Sequence, residues 1–370
     1  MSTCVAVAQE LIRFQSTNPP GEEKACIDHL AKLLEGAGLS VETYEFAPGR
    51  PSLVARLAGR SAELPLCFTG HVDVVPLGAK PWTQAPFSGD IVDGKLYGRG
   101  SSDMKAGIAA FVEATREISG KSIDRGLTLV ITSGEETGCE GAFDLARRGV
   151  LGKAALLIVA EPSSNELILA HKGSLRLSVT ARGKTAHSSM PELGDNAIYR
   201  AVDWIARLEH MALPATRHPL LGAPTMCVTT VHGGLNINSV PDSVTFTIDF
   251  RSLPANKHHD LRQSVRDLVE GDVEITTVAD LPGFSTDVSD AALEPVAAAY
   301  ERLFGRTPVP LGAPYFTDAS ALTPALNGVP TVVIGPGEMG QAHQTDEYCS
   351  VHRIEESFEI YRDLIRNICL

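Results

Sequence analysis

The sequence predicts an α/β protein: a largely parallel sheet covered by helices, with a smaller α+β domain inserted into it. Three observations carry that expectation. Up to about Gly173, near-continuous apolar runs alternate with segments of helical periodicity, as in strands buried on both faces between crossover helices. From there to about Pro282 the runs alternate apolar and polar residues in the order β-α-β-β-α-β, the ferredoxin-like signature. From about Ala291 the first pattern resumes. The predicted division is therefore residues 1–173 with 285–370 as a discontinuous larger domain, and 174–284 as the insertion.

The elements follow in order. Val5–Phe14 and Glu22–Ala37 read as helices, the second stopped by Gly38 at the position of a C-cap. Val41–Phe46, Leu53–Leu57 and Leu64–Val75 read as strands, followed by an irregular excursion rich in proline and glycine. Met104–Ile118 (helix), Leu127–Ser133 (strand), Gly141–Arg148 (helix) and Ala154–Ala160 (strand) then alternate. In the insertion, strands are predicted at Leu175–Ala181, Met226–Val231, Val244–Arg251 and Val273–Val278, with helices at Asn196–His210 and His259–Val269. The chain closes with a helix at Ala292–Phe304, a strand at Thr331–Ile334 and an amphipathic helix from Ile354 to about Ile368.

At 370 residues the chain exceeds the size at which one core stops growing, so two domains are expected. A hydrophobic fraction of 44% and a charged fraction of 21% are those of a globular protein, and no apolar run reaches the length of a membrane span. The net charge of −13 argues against nucleic acid as a partner and favours bound cations. Met1-Ser-Thr-Cys-Val-Ala lacks the basic and apolar regions of a signal peptide, and the seven cysteines are scattered and never in Cys-x-x-Cys spacing. Reduced thiols and a cytoplasmic location are expected.

Potential metal ligands punctuate the strand ends: His71-Val-Asp73, Asp103, Glu135-Glu136, Glu161 and His343. Ligands bind outside the carboxyl ends of strands in open α/β sheets, so these residues are expected to share one crevice. Carboxylates packed together need a cation to stay ionised. His71 and Asp73, two apart on a strand, would face the same side, with Asp73 fixing the imidazole tautomer. Asp103 alone reads equally well as a helix N-cap, and His343 alone as a solvated loop residue. Of Glu135 and Glu136, one would hold a metal and the other take a proton from water. Mixed oxygen and imidazole donors suit zinc, cobalt or manganese. Gly335-Pro-Gly-Glu-Met-Gly340 matches Gly-x-Gly-x-x-Gly, but no helical run follows it and too little chain remains for a dinucleotide unit. Gly98-Arg-Gly-Ser-Ser lacks the Gly-x-Ser-x-Gly elbow of a nucleophilic serine.

Taken together, Thr69-Gly-His-Val-Asp-Val-Val-Pro76, Gly98-Arg-Gly-Ser-Ser-Asp-Met-Lys-Ala-Gly107, Ser133-Gly-Glu-Glu136 and Ala160-Glu-Pro162 resemble the M20 metallopeptidase family. That family includes acetylornithine deacetylase, succinyl-diaminopimelate desuccinylase, aminoacylase and glutamate carboxypeptidase. The resemblance implies a zinc-peptidase-like catalytic domain with an inserted lid that mediates dimerisation. It also implies two divalent metal ions, zinc first, with cobalt or manganese as alternatives. Asp103 would bridge them, His71 and Glu161 completing one site and Glu136 and His343 the other. Glu135 would be the general base acting on a metal-bridging water, and Asp73 would orient His71. In the lid, Gly183-Lys-Thr-Ala-His187-Ser-Ser places His187 as the oxyanion donor, while Asn238 and Arg251 would bind the substrate carboxylate.

The segment Gly337-Glu-Met-Gly-Gln-Ala-His-Gln-Thr-Asp-Glu-Tyr348 looks closest to acetylornithine deacetylase. The expected activity is thus metal-dependent hydrolysis of the amide bond of an N-acyl amino acid by a cytoplasmic homodimer, with neither nucleic acid nor membrane as partner. Its rivals are a dipeptidase or glutamate-carboxypeptidase-type enzyme of the same family, and a catalytically silent binding module on the same fold.

Overall fold

Every position of the strands Leu66–His71, Leu127–Thr132 and Leu156–Val159 is buried. Successive side chains of a strand point to opposite sides, so such strands need cover above and below. The computed structural model describes residues 2–370; Met1, where the first predicted domain begins, lies outside the described residues. The chain forms two compact units: Met1–Ala170 with Ser285–Gly312 and Thr317–Leu370, and His171–Phe284 with Ala313–Phe316.

In the first unit the sheet runs in the order Ser40–Ala47, Arg50–Leu57, Leu127–Thr132, Leu66–His71, Leu156–Val159, Thr331–Val333. The last four are mutually parallel; Arg50–Leu57 pairs antiparallel with Leu127–Thr132, and Ser40–Ala47 pairs antiparallel with Arg50–Leu57. Helix Ala106–Arg116 is buried from Ala106 to Thr115 and packs between Thr3–Ile12 and Val351–Cys369. Phe68 ties the sheet to this layer, its ring 5.7 Å from that of Phe111 and 5.2 Å, edge-on, from that of Tyr361. The helix approaches the sheet so closely that a Cβ on Gly107 would lie 2.3 Å from the Ala160 carbonyl oxygen. Only glycine permits that approach, which brings the start of this helix against the strand end carrying Glu161.

The second unit is a four-stranded antiparallel sheet in the order Thr225–Gly233, Ser243–Ser252, Gly173–Arg182, Val273–Leu281. Burial alternates residue by residue along Ser243–Ser252, the mark of a sheet with one covered face. That face packs Leu175, Leu177, Phe246, Ile248 and Phe250 against Trp204, Leu208, Leu261 and Val265 from the helices Ala197–Glu209 and His258–Leu268. Asn196 caps the first helix, its side chain accepting from the backbone N–H of Ile198 and Tyr199.

Several elements are too short for periodicity to show. Ile91–Val92, Lys95–Tyr97 and Tyr348–Ser350 form a small sheet, and Ala319–Ala325 is a single short helix. The predicted strand Leu64–Val75 ends at His71, so Asp73 lies beyond it and the two-apart rule does not govern this pair. Among the described residues all seven cysteines are free, and no helix is long and apolar enough to cross a membrane.

Candidate metal centre

Parallel pairing puts the carboxyl ends of the central strands at one edge of the sheet. His71 ends its strand, Glu135 and Glu136 lie in the turn after Thr132, Glu161 follows Val159, and the His343 loop follows Val333. Asp103 comes from the irregular turn Ser101–Lys105, with extended backbone (φ −121°, ψ 92°). It is not the N-cap of the helix that follows, which has no side-chain cap at all.

These residues form two groups with converging ligand atoms, His71–Asp103–Glu161 and Asp103–Glu136–His343. His71 Nε2 lies 3.2 Å from Asp103 Oδ1 and 3.6 Å from Glu161 Oε1. His343 Nε2 lies 3.5 Å from Asp103 Oδ2 and 3.1 Å from Glu136 Oε2. Asp103 thus offers a different oxygen to each group. A tetrahedral ion with bonds of about 2.1 Å separates its ligand atoms by roughly 3.4 Å, so the donor atoms stand at the spacing such an ion requires.

The electrostatics point the same way. Burial raises Glu161 well above the ordinary carboxylate range, with the charge of Asp103 adding to it and His71 opposing. Glu136 is raised by burial and by Asp103. His71 is pulled down by burial, yet the charge of Glu161 and hydrogen bonds with Asp103 and Asp73 hold it well above its usual value. The metal-free chain therefore compensates crowded anions by gathering protons, and a divalent cation would replace them. The residues fit two such ions.

Glu135 belongs to neither group. It is buried, and the Cys139 thiol donates to its Oε1 at 3.9 Å. Burial raises its proton affinity well above that of an ordinary glutamate; His71 opposes this and Glu161 and Glu136 add to it. Asp73 accepts from the backbone N–H of Glu135 and of Glu136, both at 3.2 Å, and from Asn18 Nδ2 at 2.8 Å. The His71 Nδ1 contact at 2.9 Å is to the backbone carbonyl of Asp73, and its carboxylate stands at 3.5 Å. Burial would raise Asp73, but its hydrogen bonds, led by that of His71, hold it down at about 2.

The second unit holds the other three predicted site residues. His187 pairs with Ser239 in a two-stranded ladder, is exposed, and its Nδ1 accepts from the Ser189 N–H at 3.1 Å. Asn238, also exposed, accepts the Ser188 N–H on its backbone carbonyl at 2.9 Å, so His187 and Asn238 are neighbours. Arg251 lies on the four-stranded sheet opposite Ser174 and Thr225, ion-paired to Asp249 at 2.9 Å.

Sequence reasoning missed three buried groups: the Arg99–Glu347 ion pair at 2.6 Å, Asn18, and Asp318, whose Oδ2 accepts from the Thr132 hydroxyl. Burial pushes Asp318 up to about 6. The only trace in the sequence is position: Arg99 lies within the glycine run before Asp103, and Glu347 follows His343 by one short turn.

Comparison with known proteins returns one family: the profile of peptidase family M20/M25/M40 matches residues 67–367. The acetylornithine deacetylase of Proteus mirabilis is 31% identical over 362 residues, covering 94% of this chain and 90% of that protein. A probable succinyl-diaminopimelate desuccinylase of Staphylococcus epidermidis is 30% identical over 395 residues, covering 98% and 96%. Among solved structures, the aminopeptidase PepT of Bacillus cereus superposes with a TM-score of 0.77 at 26% identity, covering 98% of this chain and 97% of that one.

Proposed function

The chain belongs to peptidase family M20/M25/M40 and is a metal-dependent amidohydrolase, and on that premise we propose that it deacylates an N-acyl amino acid of the acetylornithine type. The observation that carries the mechanism is the pair of donor groups sharing Asp103, with a buried glutamate beside them that belongs to neither. His71, Asp103 and Glu161 would hold one cation and Asp103, Glu136 and His343 the other, zinc by the chemistry of the donors. Such ions, when bound, supply Lewis-acid polarisation of a carbonyl and a lowered pKa for water.

The protein's own residues do the rest. Glu135 accepts the proton of the attacking water and hands it to the leaving nitrogen as the amide bond breaks; burial of its carboxylate suits it to both transfers. Asp73 holds the turn that aims Glu135 and Glu136. His187 donates to the developing oxyanion, and Asn238 with the planar fork of Arg251 grips the substrate carboxylate. A second copy of the chain would pair through the His171–Phe284 unit. Tyr199 and Val202 on its helix and Val231 on its edge strand, exposed at 75%, 59% and 54%, favour that face.

Turnover of N-acetylornithine, N-succinyl-diaminopimelate and unblocked dipeptides by wild type and Glu135→Gln tests this reading. The acetyl substrate should lead, and the variant should keep its metal while losing about 10²–10⁴-fold in kcat. Preference for dipeptides would replace the deacetylase with the peptidase reading, the class of the Bacillus cereus structural relative. Bound metal without turnover of any amide would leave only a binding module.

A further inference from the structure

The two halves of the centre are anchored very differently. His71 closes a central strand, in register with Thr132, and its side chain is 1% exposed. His343 sits in a loop with its side chain 52% exposed. Its backbone is left-handed (φ 65°), as is that of Asp346 (φ 58°), a conformation uncommon for residues other than glycine.

One buried ion pair reaches this loop. The Arg99 guanidinium donates to the backbone carbonyls of Gln344 (3.2 Å), His343 (3.4 Å) and Pro76 (3.3 Å), and to the Glu347 carboxylate. Glu347 in turn accepts the backbone N–H groups of Gly100 (3.1 Å), Ser102 (2.9 Å) and Asp103 (3.1 Å). Arg99 and Glu347 are 2% and 0% exposed, so solvent does not compete for these bonds. A single pair thereby ties the turn carrying Asp103 to the loop carrying His343. Asp346 adds a tie of its own, accepting from the backbone and hydroxyl of Thr83.

We infer that Arg99 and Glu347 are positioning residues for the Asp103–Glu136–His343 cation, setting the affinity of that position through the His343 loop, while in the other position His71 and Glu161 are held at the ends of sheet strands and share only Asp103 with it. The inference rests on the dinuclear reading above. Arg99 is the more telling partner, because it donates to the backbone carbonyls of His343 and Gln344, and a lysine keeps its charge but cannot span a carboxylate and three carbonyls.

The test is titration of chelator-stripped wild type and Arg99→Lys with Co²⁺, followed by calorimetry and by the visible absorption of the bound ion, with melting of the metal-free proteins in parallel. The wild type should take up two ions. The variant should keep its first dissociation constant and weaken its second by about 10–100-fold, the usual effect of losing a group that orients a ligand. If Arg99→Lys does not fold, Glu347→Gln, which preserves shape and one acceptor, carries the same expectation. Equal weakening of both ions, or of neither, overturns the inference and leaves the dinuclear reading standing. A wild type that takes up one ion or none removes the dinuclear reading, and the inference with it.

Discussion

Asp73 is bound to the backbone of Glu135: its Oδ1 accepts the Glu135 N–H at 3.2 Å while its Oδ2 accepts that of Glu136. One buried carboxylate therefore sets the direction of both glutamates, the one outside the donor groups and the one within them. Its backbone carbonyl meets His71 Nδ1 at 2.9 Å, so the same residue also orients the imidazole at the end of the strand it follows.

Asp73→Asn should disturb two functions at once. The amide can accept one of the two backbone N–H groups but presents its NH₂ to the other or to Asn18. Metal affinity should fall by about 10–100-fold, and kcat should fall even at saturating metal, because Glu135 is no longer aimed. Measuring kcat across a metal titration separates the two; full recovery of kcat at high metal would show that Asp73 serves the ligands alone.

Metal removal should invert the pH dependence of stability around the site. In the metal-free chain Glu135, Glu136 and Glu161 are raised by burial above the ordinary glutamate value of 4.5, and His71 is raised by its acidic neighbours. The folded state then binds more protons than the unfolded state above pH 4.5, so stability must fall as pH rises through the raised values. The melting temperature of chelated protein should therefore fall as pH is raised above 4.5. Loaded protein should lack this trend. Parallel profiles for the two forms would contradict the crowded-anion account.

His171 predicts an opposite slope elsewhere. Burial holds its imidazole down at about 4 against the hydrogen bond its Nδ1 makes to the Lys172 carbonyl. Its unfolded value is 6.5, so between the two the unfolded chain binds the extra proton and stability falls as pH falls. The span corresponds to about 3 kcal/mol, lost progressively below pH 6.5 and complete near pH 4. His171→Phe should lower stability at pH 7, through the lost hydrogen bond, but flatten this limb in urea melts. Identical slopes would place the acid sensitivity in other groups.

The relation of Asp73 to Glu135 marks how far the sequence can be read. Val41–Phe46, Leu127–Ser133 and Ala154–Ala160 were legible because apolar runs carry their own periodicity, and the observed strands Ser40–Ala47, Leu127–Thr132 and Leu156–Val159 differ from them only at the ends. The helix Ala319–Ala325 and the strands Ile91–Val92 and Lys95–Tyr97 escaped, being too short for any period to build up.

By itself the sequence determined the α/β class, the inserted β-α-β-β-α-β pattern and the placing of acids and imidazoles at strand ends, because apolar spacing and abrupt polar termination are local properties of a chain. Tertiary structure alone decided that Asp73 serves the Glu135–Glu136 turn and that Arg99 meets Glu347. Those relations join residues as far as 248 positions apart, by hydrogen bonds formed in a water-free interior. Their strength comes from burial, and no residue carries burial in its own identity: it exists only once the strands have paired and the helices have closed over them.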